Sequence, residues 1–177
     1  KSINKVKYFY IFHSILSSHS IYNDQAFNHY DYILTAGPHH EVEVRCVEEY
    51  YKLNKKTIIP FGYPRILDLK QEYLINNQKK TKNTNVEKTI LIAPTWGKSS
   101  ITEQCIEEIF NELIKEKYKI IFRPHPVSLE RNKVLINNLF KKYKSYVFFE
   151  LNIGKTQYIN EVDILISDWS GFALEFF

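Results

Sequence analysis

Residues 88–126 read KTILIAPTWGKSSITEQCIEEIFNELIKEKYKIIFRPHP, and they contain the clearest strand–helix–strand pattern of the chain. Residues 88–93 and 119–122 are short apolar runs closely followed by prolines, a pattern typical of buried strands. Between them, apolar side chains recur at the spacing of an amphipathic helix; these are Cys105, Ile106, Ile109, Phe110, Leu113 and Ile114. Ser100 and Glu103 have the spacing of a capping box, which predicts where this helix begins.

The same alternation continues toward the end of the chain. Ser128 is predicted to cap a second helix, and residues 146–149 to form a third strand. A short helical piece near 156–160 and a fourth strand over 163–167 follow, and a further helix is expected to begin near Ser170. Because these strands are apolar on both faces, we expect an α/β fold in which helices cover a parallel sheet.

The first half of the chain is less regular. Residues 6–12, 30–35 and 57–60 are predicted strands. Residues 41–53 have features of both a strand and a helix, and their length and their Glu and Lys content favour a helix. Residues 76–88 are almost entirely Asn, Gln, Lys and Thr, so they are expected to be a loop or an interdomain linker.

Composition and charge restrict the possible partners. The net charge of +4 comes from lysines scattered among glutamates, without the arginine-rich stripe of nucleic-acid-binding domains, so no nucleic-acid partner is expected. A mildly basic chain suits anionic small molecules or an anionic membrane surface. Cys46 and Cys105 are predicted to be core thiols of a reducing compartment. No apolar run is long enough to span a bilayer and no signal peptide is expected, which favours a cytoplasmic location.

The segments that follow the predicted strands hold the candidate chemistry. Ligands of open α/β sheets bind beyond the carboxyl ends of the strands, where helices present unpaired amides. Residues 94–100, 123–126 and 167–171 occupy such positions and are rich in hydroxyls, small residues and cations, as a phosphate site requires. Thr95 is a candidate phosphate contact, whereas Trp96 is expected to be a core or hinge aromatic.

Arg123 and His125 are the main candidates in the second of these segments. The neighbouring prolines stiffen the backbone, so a guanidinium and a cationic or hydrogen-bond-donating imidazole can stabilise charge on a leaving phosphate. The alternative is a structural loop in which His125 bonds to a backbone carbonyl.

In the third segment, Ser170 and the amide of Gly171 can donate to phosphate oxygens at a helix N-terminus. The alternative is an ordinary cap made by Ser170 or Asp168. Glu175, one turn further on, either reaches a ribose hydroxyl or is solvated.

Histidines of the first half are weaker candidates. His13 follows a predicted strand, as a general base in a cleft would, although most such histidines are structural. His39 and His40 are adjacent, but no carboxylate or third histidine lies at ligand spacing, and Glu41 and Glu43 fit the first turn of a helix. No metal site is therefore predicted.

At these residues the chain resembles the CDP-glycerol glycerophosphotransferase family, the teichoic-acid and capsule polymerases of GT-B architecture. Residues 93–96, 123–126 and 163–170 carry the resemblance most strongly, and residues 62–65 and 12–14 match it more loosely.

The resemblance implies two Rossmann-like parallel-sheet domains. Residues 1–68 would be the C-terminal part of the N-terminal, acceptor-side domain, 69–87 a polar linker, and 88–177 the first part of the C-terminal domain that binds the nucleotide donor. Because Met is absent even at position 1 and the sequence stops at Phe177 in an apolar run, a fragment truncated at both ends is expected.

The resemblance also implies the roles of the candidate residues. His13 would be the base on the acceptor hydroxyl, with His19 as the alternative base. His125 and Arg123 would contact the donor pyrophosphate, and Ser167 and Ser170 would line the same site. The further residues expected to bind the donor are Thr95, Asp168, Gly171 and Glu175. A glycerol-phosphate-like group would move from a CDP-linked donor to a hydroxyl of a cell-surface polymer or its lipid-linked precursor, and CMP would leave.

No cofactor is implied, since the CDP-linked donor is a substrate. The expected location is the inner face of the cell membrane, with peripheral membrane contact. Two alternatives remain open: a GT-B glycosyltransferase that uses a nucleotide sugar in capsule or lipopolysaccharide synthesis, and a non-catalytic nucleotide-binding relative.

Overall fold

The computed structural model describes residues 5–23, 25–77, 87–152 and 161–176. The chain divides into two compact units, Lys1–Gln71 and Glu72–Phe177. Each unit is built around its own parallel sheet, as the apolar strands of the sequence predict.

The first unit contains a parallel sheet of strand order β1-β2-β3. Its strands are β1 (Phe9–Ile11), β2 (Tyr32–Thr35) and β3 (Thr57–Pro60). The helices that follow them are α1 (Ser18–Ile21), α2 (Pro38–Tyr50) and α3 (Pro64–Asn77). The buried core residues are Phe12, Phe27, Ile33 and Val44. A small aromatic core thus holds a short sheet against α2.

Helix α2 confirms the choice of a helix over a strand for the segment after β2. It begins at Pro38, because a proline in the first turn loses no helical hydrogen bond. Its buried residues His40, Val44 and Glu48 are four apart and therefore share one face. Cys46 lies off that face and is exposed, so its prediction as a core thiol is wrong.

Helix α3 extends further than the composition suggests. The predicted linker over 69–87 overlaps it, since the helix continues to Asn77 and buries Leu69, which is only 6% exposed. Residues 78–86 of the predicted linker lie outside the described residues.

The second unit has a parallel sheet of strand order β6-β5-β4-β7. Its strands are β4 (Thr89–Ile92), β5 (Lys119–Phe122), β6 (Val147–Phe149) and β7 (Ile164–Ile166). Its helices are α4 (Ile101–Gln104), α5 (Ile106–Lys115), α6 (Pro126–Arg131), α7 (Lys133–Tyr143) and a 3-10 helix at Gly171–Leu174. The chain adds β5 and β6 on one side of β4 and then returns to add β7 on the other. The strand order therefore switches direction at β4, the place where open α/β sheets bind ligands.

Both faces of this sheet are covered. Every residue of β4 is buried, because Ile90 and Ile92 face one apolar cluster while Leu91 faces another. The larger cluster packs α5 and α7 against the sheet through Phe110 and Leu139. This two-sided burial is the reason that the strands read as continuous apolar runs.

Several helix starts differ from the predictions. Ser100 makes no side-chain cap bond, and the helix after it breaks at Cys105 into α4 and α5. Ser128 is not a cap either, since α6 begins at Pro126 with His125 as its N-cap. The predicted helical piece near 156–160 lies outside the described residues.

Candidate active site

The three candidate segments of the second unit start side by side at the carboxyl edge of its sheet. The amide of Arg123, after β5, donates to the carbonyl of Ile92 at 2.9 Å, and the amide of Ala93, after β4, donates to that of Ile166 at 3.0 Å. The strand order with β4 between β5 and β7 causes this convergence. The topology therefore brings together the residues that the sequence spreads over 94–171.

Asp168 ties two of these segments to each other. One carboxylate oxygen accepts a hydrogen bond from the amide of Thr95 at 2.5 Å, and the other accepts from the amide of Ile101 at 2.9 Å. Asp168 thus caps α4 in place of Ser100 and holds the loop in which Gly97 takes a φ of 103°. Both carboxylate oxygens face backbone amides, so Asp168 positions the site and its contact to a donor stays a prediction.

The serines of this edge differ in what they can offer to a ligand. The Ser167 hydroxyl donates to the carbonyl of Ala93 at 2.7 Å, so its proton is already engaged. The Ser170 oxygen accepts from the amide of Phe172 at 3.3 Å as the N-cap of the 3-10 helix that begins at Gly171. Because a hydroxyl can accept one hydrogen bond and donate another, Ser170 can serve as a cap and as a donor together.

His125 has a defined proton arrangement. Its Nδ1 accepts a hydrogen bond from the amide of Val127 at 3.1 Å, so in the neutral ring the proton is on Nε2. Burial lowers the pKa of His125, and the negative charge of Asp168 opposes this only in part. Both observations favour a neutral imidazole that donates through Nε2–H. The His125 ring accepts from a backbone amide, whereas the alternative prediction was a hydrogen bond from His125 to a backbone carbonyl.

Arg123 lies against the turn that contains Ser170. Its guanidinium carbon is 4.6 Å from the centroid of the Phe172 ring, a cation–π distance. Glu175 ends the 3-10 helix as its C-cap. The structure therefore gathers Arg123, Ser170 and Gly171 on one side of the edge. Trp96 was expected in a core or hinge, but it is 47% exposed and carries the Arg131 guanidinium at 5.3 Å from its ring centroid.

In the first unit, His13 follows β1 and is exposed. Its Nδ1 lies 3.1 Å from the hydroxyl of Tyr22, to which the Tyr10 hydroxyl donates at 2.6 Å. The hydroxyl of Tyr63 donates to the His13 carbonyl at 3.3 Å. These contacts leave Nε2 of His13 as the ring atom that faces outward from the tyrosine pair.

Helix α2 holds the loop that carries His13. His40 is fully buried and stacks on Phe12 with ring centroids 3.7 Å apart. Its Nδ1 accepts from the amide of Ala36 at 3.3 Å, and its Nε2 donates to the carbonyl of Leu16 at 2.8 Å. Burial lowers the pKa of His40, although the Leu16 carbonyl opposes the shift. The sequence drew attention to His40 only as a metal candidate and missed this positioning role.

Glu43 also anchors the segment after β1 that carries His13. Its carboxylate accepts from the amide of Ser18 at 2.7 Å and from the Ser18 hydroxyl at 2.6 Å. Burial raises the pKa of Glu43, but hydrogen bonds from Ser18 and Ser17 outweigh burial and leave the pKa below its usual value. The alternative base His19 is exposed in α1, in a groove with Cys46, Val47, Tyr50 and Tyr51.

Over 5–23, 25–77, 87–152 and 161–176, no group of three or more His, Cys, Asp or Glu side chains is arranged to hold a metal ion. Within the same ranges, no helix combines the length and the apolar character that crossing a bilayer requires.

Fold and site together define an α/β protein of GT-B-like class with polar loops at a switch in strand order. The chain belongs to the family described as CDP-glycerol:poly(glycerophosphate) glycerophosphotransferase, whose sequence profile matches residues 15–177. No curated protein matches the chain.

Two of the solved structures that are similar to this chain come from proteins of low sequence identity. The UDP-GlcNAc 2-epimerase of Methanocaldococcus jannaschii, in complex with UDP-GlcNAc and UDP, matches 82% of this chain with a TM-score of 0.56 and 19% identity. The wall teichoic acid polymerase TagF matches 86% of this chain with a TM-score of 0.49 and 19% identity. The chain spans 42% of the epimerase and 37% of TagF.

Proposed function

We propose that the full-length protein transfers an alditol phosphate, such as glycerol phosphate, from a CDP-linked donor to a hydroxyl of a cell-surface polymer or of its lipid-linked precursor. Family membership supports this class of transferase. The observation that carries the assignment of the donor site is the convergence of Arg123, His125 and Ser170 at the carboxyl edge of one parallel sheet.

The chemistry is a displacement at phosphorus. The acceptor hydroxyl gives its proton to His13, and its oxygen forms a bond to the distal phosphorus of the donor. The bond from that phosphorus to the bridging oxygen breaks, and CMP leaves with the electron pair. Arg123, Nε2–H of His125 and the Ser170 turn stabilise the charge on CMP, since phosphoryl transfer depends mainly on positioning and electrostatic stabilisation.

The neutral state of His125 refines this proposal. A ring with Nδ1 engaged by the Val127 amide offers a single directed donor, Nε2–H, to a phosphate oxygen. The positive charge then comes from Arg123, which can bind phosphate oxygens with two parallel hydrogen bonds. This division of roles requires no proton transfer from His125 during the reaction.

The test offers CDP-glycerol, CDP-ribitol and several nucleotide sugars to the full-length protein with an acceptor, and measures which nucleotide is released. CMP release from a CDP-alditol, with incorporation of labelled alditol phosphate into the acceptor, is expected. Release of UDP or UMP from a sugar donor, with no CMP from either CDP-alditol, would contradict the proposal and favour a glycosyltransferase. No release from any donor, with donor binding retained, would favour a non-catalytic relative.

A further inference from the structure

A cationic pocket lies beside the donor edge, within the second unit. Its volume is about 260 Å³, below the range of about 300–1,000 Å³ typical for drug-sized ligands, so it suits a small group. The lining residues come from the loop after β4, from α4 and from α6 with the residue after it; those that matter are Trp96, Lys98, Glu103, Ser128, Arg131 and Asn132. The pocket adjoins His125, whose ring centroid is 6.4 Å from that of Trp96.

The positive side of the pocket is suited to an anion. The Arg131 guanidinium stacks over the half-exposed indole of Trp96 at 5.3 Å, an arrangement that leaves its edge N–H groups available to a ligand. Lys98 lines the pocket as well. Among the carboxylates of the described residues, none forms an ion pair with Lys98 or Arg131.

Ser128 gives an independent indication of a ligand. It is 1% exposed and lines the pocket, and its hydroxyl has no hydrogen-bond partner among the described residues. Buried hydroxyls are almost always bonded. An oxygen-rich ligand in the pocket would supply the missing partner.

One negative group also lines the pocket. The Glu103 carboxylate accepts a hydrogen bond from the side chain of Asn132 at 2.5 Å, which holds it in place. With Lys98 and Arg131 the pocket therefore has a net charge near +1 at neutral pH. A singly charged anion matches this balance better than the doubly charged pyrophosphate of a nucleotide donor.

We infer that this pocket binds a phosphodiester group of the acceptor polymer, next to the donor site. The inference rests on the proposed function. A phosphodiester carries one negative charge, its non-bridging oxygens match the guanidinium fork of Arg131, and the pocket has room for about one repeating unit. The donor phosphates use Arg123 and the Ser170 turn, so the two anions would occupy neighbouring but separate positions.

The experiment compares Arg131→Gln, Lys98→Gln and Glu103→Gln in the full-length protein, with Lys144→Gln on the exposed end of α7 as the matched charge control. An oligo(glycerol phosphate) acceptor and CDP-glycerol are varied separately. Arg131→Gln and Lys98→Gln should raise the KM for the acceptor about tenfold and leave the KM for the donor unchanged. Glu103→Gln keeps the acceptor oxygen for Asn132 and should lower the acceptor KM about twofold to threefold.

Other results overturn the inference. A donor KM that rises with the acceptor KM would assign the pocket to the donor site, and unchanged values for both would show that the pocket binds neither substrate. If Arg131→Gln does not fold, Arg131→Lys keeps the charge without the fork and should still raise the acceptor KM.

A binding measurement separates this inference from the proposed function. If the wild-type protein releases no CMP from any donor, calorimetric titration with oligo(glycerol phosphate) still tests the pocket. Binding that is lost in Arg131→Gln and kept in Lys144→Gln supports it. Equal affinity for inorganic phosphate and the oligomer would identify a site for free anions and overturn the assignment to an acceptor.

Discussion

The carboxylate of Asp168, at the end of β7, accepts a hydrogen bond from the backbone amide of Thr95, at the end of β4, at 2.5 Å. The same carboxylate caps α4 through the amide of Ile101 at 2.9 Å. One side chain therefore fixes the loop that borders both the donor edge and the pocket of Trp96 and Arg131. The position of the Thr95 loop therefore depends on Asp168, which lies in the segment after β7.

Asp168→Asn tests this relationship. An amide side chain keeps one acceptor oxygen and replaces the other with a donor, so one of the two backbone amides loses its partner. We expect a loss of about 1–3 kcal/mol in the free energy of unfolding and a KM for CDP-glycerol raised about tenfold. Thermal denaturation and nucleotide-release kinetics measure the two effects.

Asp163 provides the matched control at the opposite end of the same strand pair. Its carboxylate accepts from the amide of Thr89 at 2.8 Å, beyond the amino end of β7 and away from the candidate site. Asp163→Asn should lower stability without any change in the donor KM. Equal effects of the two variants on the donor KM would show that Asp168 acts only through global stability.

His125→Asn separates the two roles of this histidine. Asparagine is a favourable N-cap and can replace the Nδ1 acceptor for the Val127 amide, but it has no group at the position of Nε2. The variant should therefore keep its melting temperature within a few degrees while kcat falls about 100-fold or more.

His125→Ala loses the cap as well, so it should be both inactive and less stable by about 1 kcal/mol. A His125→Asn variant that retains nearly full kcat would assign His125 to helix capping alone.

Asparagine variants of His13 and His19 test which of the two histidines is the general base. His13 is connected to Tyr22 and to the clamped loop after β1, whereas His19 lines the groove beside Cys46 and Tyr50. We expect His13→Asn to lower kcat about 100-fold or more, as for a general base, and His19→Asn to leave it within about twofold. The reverse pattern would make His19 the base.

Tyr22→Phe tests how His13 is oriented. The variant removes the hydroxyl 3.1 Å from Nδ1 and keeps the ring that packs in the aromatic cluster. Because the hydrogen bond at one ring nitrogen fixes the orientation of the imidazole, kcat should fall about tenfold. A lower melting temperature with an unchanged kcat would indicate a packing role alone.

The pH dependence of stability follows from His40. Burial lowers the pKa of His40 below its ordinary value of about 6.5, so the unfolded chain binds the proton more tightly than the folded one. Stability should therefore be greatest above about pH 6.5 and fall as the pH decreases below it. His125 contributes in the same direction, because burial lowers its pKa too.

Melting temperatures at pH 7.5 and pH 5.5 measure this effect. His40→Gln should be less stable than the wild type at pH 7.5 and should lose less stability on acidification. His29 is exposed, so His29→Gln should keep the full wild-type decrease. A decrease in His40→Gln as large as in the wild type would assign the pH dependence to other groups, with His39 and Glu43 next to the ring as the first to examine.

The strands of the second unit were predicted well because the two central ones, β4 and β5, are largely buried. The runs 89–92 and 119–122 each begin with one polar residue, Thr89 and Lys119, and are otherwise apolar, and the amphipathic pattern of α5 leaves little choice of orientation. The predicted meeting of three loops follows from the parallel sheet, since parallel strands end at one edge. Local sequence patterns were therefore sufficient to predict the fold of this unit and the three loops that form its candidate site.

The predicted N-caps Ser100 and Ser128 are not caps in the structure. Ser100 and Glu103 have the spacing of a capping box, yet α4 is capped by Asp168, which is 67 residues from Ile101 in sequence. Ser128 was the expected cap of the next helix, but the histidine between two prolines takes that position. A competition between nearby and remote acceptors for the same amides is invisible in a sequence pattern.

The α/β class, the parallel strands and the residue types at their carboxyl ends could be predicted from the sequence, because strands covered on both faces, such as β4, are mostly apolar along their length. The role of each polar group depends on the tertiary structure. It turned Asp168 toward the amides of Thr95 and Ile101, set the proton of His125 on Nε2, and buried His40 against Phe12. Hydrogen bonds are directional and short, so the role of a polar side chain depends on neighbours that folding alone brings within about 3 Å.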